Sequence, residues 1–172
     1  MLRLVDPALP YKDALIDAVR EFCAAGEYQA DPDHMAAHFA DLLLWIERQK
    51  DPATVESGQL PMEDFWLMAG DQWIGKLTLR TALDERFLRS GGHIGYEIRP
   101  SQRRHGYGTA LLRLGLEKAR ERGLRRVLLT CTETNIGSRK IIEANGGLLE
   151  NAVLVDGVKK LRYWIDLTQE RP

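Results

Sequence analysis

The feature that most constrains this chain is a glycine-rich turn set between a strand and a helix. His93 to Ile98 reads as a strand, Arg99-Pro100 closes it, and Arg103-Arg104-His105-Gly106-Tyr107-Gly108-Thr109 follows. From about Tyr107, Leu112, Gly115, Leu116 and Ala119 recur on one helical face until Gly123 ends the pattern. A turn of this kind exposes backbone N–H groups at the positive end of a helix dipole, which suits a phosphate. Glycine at 106 and 108 keeps a Cβ from holding a pyrophosphate away from the amides, and Arg103 and Arg104 add charge-assisted donors. No Gly-Lys-Ser/Thr follows, which excludes the Walker loop, and Leu111 stands where a dinucleotide fingerprint needs its third glycine.

The rest of the chain supplies the surroundings of that turn. Leu2 and Leu4 suggest a short strand broken by Pro7 and Pro10, and Tyr11, Leu15, Ala18, Val19 and Phe22 form the stripe of a helix ending near Gly26. A second helix is expected from Asp33, as cap, through Met35, Phe39, Leu42 and Ile46 to Asp51-Pro52, with a loop over 51–62. Phe65–Ala69 and Trp73–Leu79 read as a hairpin, and 80–91 as a longer connection forming a flap. After the phosphate turn come a strand over Arg126–Thr132, a helix capped by Asn135 and ended by Asn145-Gly146-Gly147, and two strands around Asp156-Gly157. The order predicts one mixed α+β domain over 1–172, with about seven strands and no internal repeat.

Composition narrows the class. The chain is 44% hydrophobic and 28% charged, with formal net charge −1, as expected of a soluble globular domain. Its longest apolar runs, Leu42–Ile46 and Phe65–Ala69, are far short of a membrane span, and Met1–Asp6 lacks the pattern of a secretory signal, so a cytoplasmic protein is expected. Cys23 and Cys131 form neither a disulfide framework nor a zinc pattern, and no metal is expected. Residues 99–126 nevertheless carry nine Arg or Lys against two Glu. One basic segment in an otherwise acidic chain argues for a local anionic ligand and against nucleic acid.

The run Arg103-x-x-Gly106-x-Gly108 after a strand ending at Pro100 resembles the acetyl-CoA-binding signature of the GNAT N-acetyltransferase superfamily, Gln/Arg-x-x-Gly-x-Gly/Ala. Asn135-Ile136-Gly137-Ser138, opening a helix that ends at Gly146-Gly147, is similar to the family's next block. Gly91-Gly92-His93-Ile94-Gly95-Tyr96 and Arg162-Tyr163-Trp164-Ile165 resemble a branch of predicted acetyltransferases. The resemblance spans roughly Trp66 to Ile165. It implies a GNAT-like, mostly antiparallel sheet whose splayed parallel pair of strands forms the CoA cleft. It also implies direct acetyl transfer, without a metal, from acetyl-CoA to an amine of a small molecule or peptide. The amides of Arg104, His105, Gly106, Tyr107, Gly108 and Thr109 would bind the pyrophosphate, and backbone at Ile98 and Arg99 and the Asn135 side chain would pair with the pantetheine. Arg139 and Lys140 would meet the adenosine 3′-phosphate. A longer acyl-CoA, or a non-catalytic CoA-binding regulator, are the other readings of the same turn. Oligomeric state is left open, a homodimer being one option.

The acid and base are less determined. Many family members carry a Tyr acid on the helix after the Asn, and Ile142 stands at that position here. Ser138 and Tyr163 are the candidates to replace it. Strand alternation would put His93 and Glu97 on one face as candidate bases, unless a bulge breaks the parity. The alternatives are a core imidazole at 93 and an ion-paired carboxylate at 97.

Overall fold

A computed structural model describes residues 1–168, so the last four residues of the expected 1–172 domain lie outside the description. Seven strands form two antiparallel sheets. In the first, β1 (Leu2–Val5), β2 (Glu63–Ala69), β3 (Gln72–Leu79) and β4 (Ile94–Ile98) lie in sequence order. In the second, β7 (Val158–Asp166) lies between β5 (Arg126–Thr132) and β6 (Leu148–Val155).

Helices cover the first sheet on both sides, and alternation along β2 shows why. Phe65 and Leu67 pack with Leu111, Leu112 and Leu116 of α5 (Tyr107–Glu121), while Trp66 and Met68 pack with Leu15, Val19 and Phe22 of α1 (Lys12–Ala24). Both faces are apolar, so the strand reads as a continuous hydrophobic run rather than an alternating one.

The expected second helix is capped two residues earlier and divided in two. Asp31, not Asp33, is the cap: its Oδ1 accepts from the Asp33 and His34 amides at 3.0 Å, and Pro32 takes the first position, where a missing N–H costs nothing. His38, at φ −109° and ψ 28°, then separates α2 (Pro32–Ala37) from α3 (Phe39–Arg48). The flap read over 80–91 contains a short helix, α4 (Glu85–Arg89), capped by Asp84, with the Phe87 ring between the guanidinium groups of Arg80 and Arg86 at 4.2 and 4.6 Å.

The strand pair expected to run parallel shares no ladder among the described residues. The two sheets join at a single bridge, Gly92 to Leu129, and at the His93 N–H bond to the Leu128 carbonyl, 2.8 Å. Beyond that join a cleft opens between β4 and α6 (Ile136–Ala144).

Candidate active site

The cleft encloses about 620 Å³ and is lined by Tyr96, Glu97 and Ile98 of β4, by the turn at Arg103, Arg104, Gly106, Gly108 and Thr109, and by Asn135, Gly137, Ser138, Lys140 and Ile141. Glu27, just beyond α1, completes it.

The turn leaves amides free because of its conformation. Arg104 and Gly106 have φ of +64° and +82°, and such left-handed residues aim successive N–H groups into one concavity. The first bond within α5 is from Ala110 to the Gly106 carbonyl, and no side chain caps this end, so the Tyr107, Gly108 and Thr109 amides have no helical partner. Gly106 is needed for its left-handed backbone, since a Cβ there would meet open space. Gly108 is needed for a contact: a Cβ would stand 2.5 Å from Ile141 Cδ1, so its absence lets α5 approach α6. These requirements of backbone and packing stand beside the expected role of both glycines in clearing a pyrophosphate. The His105 and Tyr107 rings do not line the cleft and lie beside one another, centroids 6.2 Å apart.

Strand β4 offers its edge to the same space. The His93 carbonyl accepts from Arg80 N–H at 2.7 Å and Arg99 N–H donates to the Ile74 carbonyl at 2.8 Å. Odd-numbered residues therefore bond to β3, and Tyr96 and Ile98 turn their main-chain groups to the open edge. Arg99 is thus committed to the sheet, with its guanidinium on Glu21 at 2.6 Å, and does not line the cleft as expected. Arg103 is also engaged. It donates to both oxygens of Glu27 at 2.7 and 2.6 Å and through Nε to the Ile98 carbonyl at 3.0 Å. Its contact with Glu27 raises its own pKa and lowers that of Glu27. Arg104 and Lys140 are the cleft's other cations.

On the far wall, the Asn135 side-chain carbonyl accepts from Ser138 N–H at 2.9 Å, so the residue caps α6 while also facing the cleft. Ser138 Oγ lies 2.8 Å from the Tyr96 hydroxyl. Arg139 does not line the cleft; the neighbouring Tyr163 raises its pKa.

The catalytic candidates separate. Glu97 is in the cleft, with Oε1 accepting from Tyr28 at 2.5 Å and lying 3.4 Å from Lys76 Nζ. His93 lies outside β4: its Nδ1 accepts the Leu128 amide at 2.8 Å and its ring faces Trp164. Burial holds its pKa below the ordinary value. His93 keeps the register of β4, its carbonyl bonded to Arg80, and like Glu97 it points away from the core of Ile94 and Ile98, but its ring is committed to Leu128 and Trp164 and does not line the cleft. Tyr163 is buried with its hydroxyl on Glu143 at 3.1 Å and does not line the cleft. Ile142 is wholly buried in the core. Tyr96 is the residue that sequence reasoning missed: alternation put it on the core face of the strand, and nothing in the sequence signalled that α6 would carry a hydroxyl partner to it.

The sequence matches the family model described as acetyltransferase (GNAT) family over residues 17–146. The chain belongs to this family. GNAT structures share its fold: RimJ of Mycobacterium smegmatis in complex with CoA-disulfide (20% identity, 96% of this chain and 81% of that one, TM-score 0.68) and the microcin C7 self-immunity acetyltransferase MccE in complex with acetyl-CoA and AMP (14%, 96% and 92%, 0.67). The ribosomal L7/L12 α-N-protein acetyltransferase RimL in complex with CoA is a further one (18%, 96% and 93%, 0.66). No curated protein matched the sequence. In this GNAT acetyltransferase the turn at 103–109 and the segment 135–138 both line the one cleft. Among the described residues no helix is long and apolar enough to cross a membrane, and no group of three His, Cys, Asp or Glu side chains is arranged to hold a metal.

Proposed function

We propose that the whole chain is one cytoplasmic acetyltransferase domain that moves the acetyl group of acetyl-CoA directly to an amine of a small molecule or peptide. The observation that carries this reading is the uncapped N-terminus of α5 opening on the cleft along which β4 presents its free edge. The residues fit the cosubstrate: three unpartnered amides, Arg104 and Lys140 complement phosphates, and Tyr96, Ile98 and the Asn135 NH₂ group offer donors and acceptors to an amide-bearing arm. Bound acetyl-CoA would supply an activated thioester.

Glu97 is the proposed base, taking the proton of the amine as the new N–C bond forms and the C–S bond breaks, with the electron pair leaving on sulfur. The Tyr28 hydroxyl and Lys76 hold one oxygen of this carboxylate, which leaves Oε2 to reach the amine. Tyr96, paired with Ser138, is the proposed donor to the departing sulfur. Burial pushes its pKa up to about 12, so at neutral pH it stays protonated and stabilises negative charge as a hydrogen-bond donor.

Two measurements test the proposal. Saturating acetyl-CoA should raise the melting temperature by mass action, and ATP or NAD should do so much less. Glu97→Gln should lower the rate of amine acetylation at neutral pH while leaving CoA affinity unchanged, with partial recovery at high pH, where free amine is more abundant. An unchanged melting temperature with acetyl-CoA would remove the central claim.

A further inference from the structure

A second, smaller chamber of about 120 Å³ lies on the other side of Glu97, between the first sheet and helices α1 and α3. Val19, Phe22, Met35, Ile46, Trp66 and Trp73 form its apolar wall. Its polar end consists of Tyr28, Lys76, Glu97 and Asp64. Among the described residues Glu97 alone lines both this chamber and the large cleft. Trp73 is 1% exposed, yet its indole N–H has no acceptor among the described residues. A buried donor left unmade is costly, and that cost is recovered when a ligand supplies the acceptor.

We propose that this chamber holds the acetyl acceptor. The acceptor is a primary amine on a compact apolar body, a single ring or branched alkyl group, bearing an oxygen that accepts from the Trp73 N–H. The proposal rests on the reading of the large cleft as the acetyl-CoA site. Volume sets the size, since a cavity of about 150 Å³ takes up benzene and polar bodies such as sugars or polyamines would lose hydration against these walls. Charge sets the reacting end. An amine seated against the apolar wall meets Glu97, the residue that lines both cavities. The Glu97 and Asp64 carboxylates outnumber the single Lys76 ammonium at this end, so the site attracts a protonated amine and sets it beside the carboxylate that takes its proton.

The test is calorimetric titration of CoA-loaded protein with tyramine, phenethylamine, isobutylamine, putrescine and glucosamine, alongside titration of CoA itself. Tyramine should bind about five- to tenfold more tightly than phenethylamine, which matches it but for the oxygen. Isobutylamine should also bind, and putrescine and glucosamine should not. Trp73→Phe should abolish the preference for tyramine, and Ala18→Leu, which fills the chamber, should abolish amine binding, both with unchanged CoA affinity. Because either variant could destabilise the core, melting temperatures are recorded, and the wild-type ranking stands as an independent readout. Binding of putrescine or glucosamine in preference to the apolar amines, or of none of the panel while CoA binds normally, overturns the inference. Failure of CoA itself to bind the wild type overturns the cleft assignment instead, and this proposal with it.

Discussion

Glu27→Gln should tighten CoA binding, because the carboxylate now neutralises the cation placed to meet phosphate. Arg103 gives both terminal nitrogens to Glu27 at 2.7 and 2.6 Å, and Glu27 itself lines the cleft. The amide keeps the size of the side chain, removes a negative charge from the cleft and frees the guanidinium to turn toward the ligand. A charge-assisted hydrogen bond contributes about 1.5–3 kcal/mol. The two side chains are 44% and 40% exposed, so solvent screening and the ordering of a long side chain reduce that gain. About 1 kcal/mol remains, roughly a fivefold lower Kd. Calorimetry of CoA with the wild type, Glu27→Gln and the double variant with Arg103→Ala measures it. The gain should shrink at high salt and vanish in the double variant. Because Arg103 holds the Glu27 carboxyl below its ordinary range, the charge persists at neutral pH, and the gain should be flat from about pH 6 to 8. If Glu27→Gln binds CoA no more tightly than the wild type, Arg103 acts only as a brace on the Ile98 carbonyl and the reasoning is refuted.

Gly106→Ala should cost about 1 kcal/mol through its left-handed backbone alone and weaken CoA as the turn relaxes. Gly108→Val should instead lower the melting temperature of the ligand-free protein by crowding Ile141, and calorimetry with thermal scans separates the two. Tyr96→Phe should lower the turnover rate by on the order of tenfold with CoA affinity intact, while Tyr163→Phe should change stability and leave the rate nearly alone. His93 has its pKa lowered by burial, so the unfolded chain binds its proton more readily. Stability should then fall as pH drops below about 6.5, and His93→Gln should flatten that slope in melting curves.

How far the sequence carried this reading depends on what each residue's role rests upon. The turn at 103–109 was legible because glycine spacing and a strand-to-helix junction are local, and the helix stripes were legible because period determines face. Strand parity also held within β4, where Ile94, Tyr96 and Ile98 face the core and Glu97 meets Tyr28 on the opposite side. It extended to His93, whose ring also lies away from that core, but the imidazole serves Leu128 and does not line the cleft, which parity alone could not say. Partners distant in sequence were not legible. Glu27 and Arg103 are 76 residues apart, Tyr28 and Glu97 are 69, and Tyr96 and Ser138 are 42. Each of these pairs sets the chemistry of a residue that local reading could place but not characterise. The second chamber is the extreme case, since its walls come from three helices and a sheet that carry no motif, and beside its polar end it holds an indole N–H without an acceptor among the described residues. A packed core rarely leaves such a donor unpaired, so under the proposed acceptor site the residue least expected to matter from sequence, a Trp that reads as core, is the one that would restrict which amine is taken.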